Sequence, residues 1–377
     1  MSRAVVVVFA IAACGGSSAT PDAAIADANA ACRSQFATTQ TYSIAAGASP
    51  IAIASGDFNS DTLIDLVVAD AGTADVAFLP GQPGPFITFG AATRFPADAM
   101  PAALLARDLD GDGHLDLAVA AAGGNDIALL HGNADGTFQP PDDYPTGMAP
   151  RAIALGDFDS DAILDLVTAN AGTVSVLRGG AGGVFGQHVD TTVDTAPLAG
   201  LVVGDFDHDG HVDLAVGLTS SAQVAVLLGH GDGTFAAPTT FATGTGTVAA
   251  LGGADLDKDG NLDVVVGGAG GVVVLRGTGG GALAAVPTPV IEDNVLAIEI
   301  ADYDGDDMLD IAYATTTGVA IVYGTGGTSF GAPAALATST APAGLAVGEL
   351  DANADIDLVT ANGSADSVSV FLDHGCP

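Results

Sequence analysis

Asp108-Leu109-Asp110-Gly111-Asp112-Gly113-His114-Leu115-Asp116 places carboxylates at positions 1, 3, 5 and 9 of a nine-residue window. A sharp turn at position 6, where glycine takes a left-handed backbone without strain, brings those carboxylates toward one point. The window recurs, with starts at Asp57, Asp108, Asp157, Asp205, Asp255, Asp302 and Glu349, at intervals of 51, 49, 48, 50, 47 and 47 residues. A period this regular constrains the fold more strongly than any local propensity.

An apolar run precedes each window (Ile51-Ala52-Ile53-Ala54, Leu201-Val202-Val203) and a second follows it (Leu66-Val67-Val68, Val264-Val265-Val266). A third comes after a glycine-rich turn, as in Ile127 to Leu130 and Val224 to Leu228, and a fourth begins at Phe138, Phe235 or Phe330. None has helical period or length, so each unit predicts four short antiparallel strands. Seven units predict an all-β, seven-bladed β-propeller. The last repeat stops before its fourth strand, whereas the region opens with an unassigned strand, Phe36 to Ala45. That N-terminal strand is expected to complete the last blade. Residues 35–377 then form one propeller domain.

Composition narrows the function. There are 45 Asp+Glu against 8 Lys+Arg, giving a net charge of −37, which repels phosphate backbones and argues against nucleic-acid binding. At 49% hydrophobic residues and a mean hydropathy of +0.46 the chain is not a disordered acidic tail. Of the 45 acids, 28 lie in the seven windows, so the acidity is chiefly a local pattern.

That pattern suits a hard cation. Oxygen-only donors at this density match Ca²⁺, which takes six to eight oxygens, better than zinc or copper. The candidate ligands are Asp57, Asn59, Asp61 and Asp65 in the first window, then Asp108, Asp110, Asp112 and Asp116 in the second. Asp157, Asp159, Asp161 and Asp165 follow, then Asp205, Asp207, Asp209 and Asp213, and Asp255, Asp257, Asp259 and Asp263. The sixth set is Asp302, Asp304, Asp306 and Asp310, and the seventh Glu349, Asp351, Asn353 and Asp357. Calcium is expected in a structural role, up to one ion per blade. Histidines at position 7, such as His114 and His211, are expected to face solvent, and His131, His230 and His374 to share one repeat slot.

At the N-terminus, Arg3 and the apolar stretch Ala4 to Ala13 have the form of an export signal, residues 1–13. Ile11-Ala12-Ala13-Cys14 resembles the lipobox of bacterial lipoproteins, which implies lipidation of Cys14. Residues 14–34 are expected to form a flexible small-residue tether. Cys32 and Cys376 fall at the same turn in the repeat register, so a disulfide between them is expected.

The windows and the Phe-x-x-Pro elements at Phe138 to Pro141, Phe235 to Pro238 and Phe330 to Pro333 resemble the FG-GAP/VCBS repeat family, whose propellers include the integrin α-subunit head. The resemblance implies the seven-bladed fold, with calcium in the turn between the first two strands of each blade. It does not fix a function, because one fold hosts many.

No nucleophile motif or inserted lid stands out, so a binding and adhesion scaffold without catalysis is expected. A carbohydrate-binding propeller lectin is the first alternative and a propeller-type lyase or hydrolase the second. The partner is a surface protein or polysaccharide, met on the loops between second and third strands. The protein is expected to be an exported monomer, lipid-anchored in the cell envelope on the outer membrane or cell surface.

Overall fold

The computed structural model describes residues 6–7, 36, 38–84, 87–244, 246–286, 294–336, 342–351 and 355–373. Seven four-stranded antiparallel sheets follow one another along the chain. Blade 1 is Pro50–Gly56, Asp65–Asp70, Asp75–Leu79 and Thr93–Pro96, ordered from the innermost strand outward. Blade 2 repeats this as Pro101–Arg107, Asp116–Ala121, Asp126–Leu130 and Asp142–Pro145. The first strands of successive blades touch in a closed ring, so the sheets stand radially around a central channel. Val6–Val7 pairs in parallel with Ala152 and Ile153 on the channel side of blade 3.

The strands do not alternate polar with apolar, because each sheet is covered on both faces by its neighbours. Ala52, Ala54, Val67 and Val76 of blade 1 pack on Leu104, Leu117 and Val119 of blade 2. Ile53, Leu66, Val68 and Ala77, on the other face of blade 1, pack on Ala346, Val359, Val368 and Val370 of blade 7. Alanine and valine dominate these contacts, which lets radial sheets approach closely near the axis. The innermost strand carries a register shift near its start in six blades, for instance between Pro50 and Ala52 and between Ala199 and Leu201. Such a bulge increases local twist.

The ring closes as the repeat register required. Thr38–Ser43 pairs with Ser367–Leu372 as the outermost strand of blade 7, from Thr38 opposite Leu372 to Ser43 opposite Ser367. Tyr42 then meets Phe89 of blade 1 edge-on, with ring centroids 5.4 Å apart. The Asp366 carboxylate of blade 7 accepts from the backbone N–H groups of Gly47 and Ser49 at 2.7 and 2.9 Å. Cys14, Cys32 and Cys376 lie outside the described residues, so the lipidation and disulfide expectations concern positions beyond them.

One strand boundary differs from expectation. The fourth strand does not begin at Phe138, Phe235 or Phe330. Each of these pairs in a single bridge, with Gly132, Gly229 and Gly324 respectively, and the outermost strands start later, at Asp142, Thr239 and Ala334. The prolines Pro141, Pro238 and Pro333 stand between, and a proline has no N–H to give a ladder. The phenylalanine is an anchor: Phe138 is buried between Phe58 and Phe95, with centroids 6.1 and 5.2 Å away.

Candidate metal centre

All described acidic windows form the turn between the first and second strands of a blade. Position 6 has positive φ wherever it is described in the first six windows: Thr62 72°, Gly113 91°, Ala162 68°, Gly210 87°, Gly260 88° and Asp307 66°. Position 4 does too, as in Ser60, Gly111, Ser160, His208, Lys258 and Gly305, a second left-handed residue that the window pattern did not reveal. Ala162 is exposed and bears the steric cost of a left-handed Cβ. Ala162→Gly is therefore expected to stabilise the protein by ~0.5–1 kcal/mol in chemical denaturation, the relief of strain exceeding the added chain entropy.

The four acids of a window do different work. Position 9 opens the second strand and is fully buried in Asp65, Asp116, Asp165, Asp213, Asp263, Asp310 and Asp357. One oxygen accepts the backbone N–H of position 2 (Phe58, Leu109, Phe158, Phe206, Leu256, Tyr303, Leu350) at 2.7–3.0 Å. The other accepts the N–H that follows the third strand (Gly81, Gly132, Gly179, Gly229, Gly277, Gly324, Asp373) at 2.7–2.8 Å. The ninth aspartate thus ties three strand ends together in every blade.

Position 1 organises the turn itself. Asp205 accepts the N–H groups of His208 and Gly210 at 2.7 and 3.0 Å, and Asp157 those of Asp161 and Ala162, both at 3.0 Å. Position 5 stays at the solvent edge and accepts the N–H of position 7, as Asp112 does from His114 at 2.8 Å. The position-7 histidines are not the solvent-facing bystanders expected. His114 and His211 are half-buried, and a Cβ on Gly231 would lie 2.3 Å from His211 Nδ1, so the ring packs flush against that glycine.

The carboxylates converge. Ligand atoms of Asp157, Asp159 and Asp165 lie within 4.8 Å of one another, as do those of Asp205, Asp207 and Asp213 and those of Asp108, Asp110 and Asp112. Position 9 joins positions 1 and 3 in blades 3 and 4, and position 5 joins them in blade 2. Asn353 lies outside the described residues. The donor set fits a hard divalent cation on structural grounds as well as composition. Every candidate donor in the blade 3 and blade 4 groups is a carboxylate oxygen, and Asp159 Oδ1 and Asp257 Oδ1 are enclosed without accepting a hydrogen bond.

Burial pushes the ninth aspartates up, to about 6 in Asp65, Asp213 and Asp263 and about 7 in Asp310 and Asp357. The two backbone N–H groups pull the other way, and the neighbouring window acids reinforce the rise. Asp116 and Asp165 move up for the same leading reason.

The residue just before the clamped glycine lies outside the window pattern and yet reaches the loop. Arg276 Nε lies 2.5 Å from Asp257 and its terminal nitrogen 2.6 Å from Asp259. Arg178 reaches Asp159 at 3.4 Å, and His131 lies 3.4 Å from Asp110 and 3.5 Å from Asp116. His131 and His230 do not share one slot. The bridges Gly132–Phe138 and Gly229–Phe235 align His131 with Leu228, and His230 with Asn133. The signal was present in the chain as a recurring basic residue before glycine, in Arg178-Gly179 and Arg276-Gly277.

Neighbouring blades are stapled at the same end. Gly233 of blade 4 donates its N–H to Phe158 O of blade 3 at 2.8 Å, and Gly281 of blade 5 to Phe206 O of blade 4 at 2.9 Å. The opposite face carries the second-to-third-strand loops and the inter-blade crossings, where Met100 and Met148 are 61% and 70% exposed.

Fold and site together define a seven-bladed β-propeller with an acidic, oxygen-donor loop in each blade. The FG-GAP-like repeat matches residues 57–119, 108–168, 157–216, 205–266 and 255–313. The chain belongs to the FG-GAP-like repeat family. No curated protein matches it. Among solved structures it is similar to BBS1N in complex with ARL6DN, at 16% identity and TM-score 0.59, covering 90% of this chain and 97% of that one. Virginiamycin B lyase from Staphylococcus aureus is similar at 12% identity and TM-score 0.61, covering 88% and 98%. An Agrocybe aegerita lectin recognising non-reducing terminal N-acetylglucosamine is similar at 18% identity and TM-score 0.52, covering 86% and 94%. At these identities the likeness shows the fold alone.

Proposed function

We propose that this protein is a calcium-stabilised binding and adhesion scaffold, held on the cell envelope by a lipid on Cys14 and working without catalysis. The observation that carries the reading is the recurrence of an acidic loop at one end of the blades, with its carboxylates converging in blades 2, 3 and 4. Like charges gathered this closely repel by roughly 1 kcal/mol per pair even at the dielectric of water, a cost that a bound cation removes. When bound, the ion would be held by oxygens from positions 1, 3, 5 and 9 and would offset two of the negative charges gathered there.

Calcium at one end leaves the other end for a partner. The exposed Met100 and Met148 on the crossings, and the short loops beside them, suit a protein surface better than a sugar ring. The absence of tryptophan from the chain points the same way. A surface protein is therefore the preferred partner, with a polysaccharide as the rival.

Calcium addition to chelated protein is expected to raise the melting temperature, each occupied loop contributing ~0.4–1.4 kcal/mol at millimolar calcium. A melting curve that ignores both chelator and calcium would remove the metal from this reading. The binding role is tested by presenting the propeller to a glycan array in calcium. A consistent sugar hit would replace the protein-adhesion reading by the lectin one.

A further inference from the structure

We infer that Arg178 and Arg276 are tethered counter-cations for the acidic loops of blades 3 and 5, so that these two loops bind a divalent cation more weakly than the arginine-free, four-aspartate loop of blade 4. The inference rests on the calcium reading above and divides the loops that reading treats as equivalent.

Both arginines occupy one structural slot, the last residue before the glycine whose N–H the ninth aspartate clamps. Gly179 binds Asp165 and Gly277 binds Asp263, at 2.7 and 2.8 Å. From that slot a long side chain runs back over the loop of its own blade. Arg276 spans positions 3 and 5, with contacts of 2.5 and 2.6 Å to Asp257 and Asp259. Arg178 reaches position 3 at Asp159, 3.4 Å away, and also donates to Asp232 O in blade 4. The slot holds His131 in blade 2 and Pro80, Leu228, Tyr323 and Leu372 in blades 1, 4, 6 and 7, so arginine fills it only in blades 3 and 5.

The chain has only 8 Lys+Arg against 45 acids, so two arginines at one repeat position supply a quarter of its basic side chains. Blade 5 is the sharper case. Its window is complete in sequence, Asp255, Asp257, Asp259 and Asp263 with Gly260 at the turn, and yet a guanidinium bridges two of those acids. Blade 4 has the same four acids, Asp205, Asp207, Asp209 and Asp213, with Leu228 in the slot.

The arginines compete with an ion and do not seal the loop. Their side chains are 47% and 43% exposed, so each can swing into solvent when a divalent cation enters. Entry then costs the ion pair and leaves a positive charge a few ångströms from another. At such separations the repulsion weakens binding by a factor of ten or more. The arrangement gives a propeller whose blades 3 and 5 keep their loops in shape when calcium falls.

The test uses the full chain, stripped with a chelator and titrated with calcium alone, with bound ions counted by elemental analysis and affinities read by calorimetry. Asp207→Asn is expected to remove one tightly bound ion, whereas Asp257→Asn leaves the tight count unchanged. Arg276→Ala and Arg178→Ala each convert one weak site into one bound at least about tenfold more tightly. Arg94→Ala, at an arginine paired with Asp75 on the other face, changes neither. Loss of a tight ion in Asp257→Asn overturns the inference, and so does an unchanged isotherm in both arginine variants. Wild-type protein that binds no calcium at all would instead overturn the calcium reading itself, so the two failures are distinguishable.

Discussion

Asp213→Ala is expected to destabilise the protein by about 3–5 kcal/mol, with or without calcium. The carboxylate is fully buried and each oxygen holds one backbone N–H, from Phe206 at 2.8 Å and from Gly229 at 2.7 Å. Alanine leaves both donors in the protein interior with no acceptor, and each orphaned donor costs about 1–3 kcal/mol. The lost side chain adds a small cavity beside Leu214 and Leu227, which are completely enclosed. Asp213→Asn recovers only part of the loss, because its amide nitrogen faces a donor. The comparison is Asp207→Ala at position 3, whose side chain holds the single N–H of Asp209 at 3.0 Å in an exposed turn. That variant is expected to lose under 1 kcal/mol in chelator and more in calcium. Urea unfolding of both variants, in calcium and in chelator, separates the roles. A ninth-position variant destabilised only in calcium would make Asp213 a ligand and nothing else.

That division of labour was only half legible in the chain. The period of the window and the missing last strand were enough for the seven-bladed ring and for its closure by residues near Phe36, and Thr38–Ser43 sits where the register put it. These features follow from counting, since a blade lacking a strand must find one elsewhere. The glycine turn at position 6 was legible because Gly113, Gly210 and Gly260 mark it. The left-handed residue at position 4 was not, because serine, histidine and lysine occupy it in Ser60, His208 and Lys258. Four aspartates look alike in a sequence, and only their surroundings distinguish Asp213, buried on two backbone donors, from Asp209 at the solvent edge. The arginine contacts were not legible for a related reason. Arg276 follows Asp259 by 17 residues, and their contact depends on a hairpin returning one strand beside another.

Stripped of divalent cations, the protein is expected to lose stability as pH rises from about 5 to 7.5. The sign follows from the ninth aspartates. Burial raises Asp65, Asp213 and Asp263 to about 6 and Asp310 and Asp357 to about 7, whereas in the unfolded chain they titrate near 3.8. Between those values the folded state holds more protons than the unfolded one, so each pH step upward favours unfolding. The full contribution is present below the unfolded value and is gone once pH passes the folded one. Glu299 acts in the same direction, since it is 6% exposed and burial alone drives its ionisation well above the ordinary glutamate range. At ~1 kcal/mol per aspartate, the five together lower the melting midpoint by roughly 10 °C across this interval. Glu299→Gln should remove one part of the slope and leave the rest. Saturating calcium should flatten it, because a cation beside the ninth carboxylate favours its charged form and returns its pKa toward the unfolded value. Melting in chelator and in calcium across pH 5 to 7.5 checks both statements. A chelated protein that gains stability over that interval would show that the ninth aspartates are already ionised in the metal-free fold, and that their two backbone donors outweigh burial.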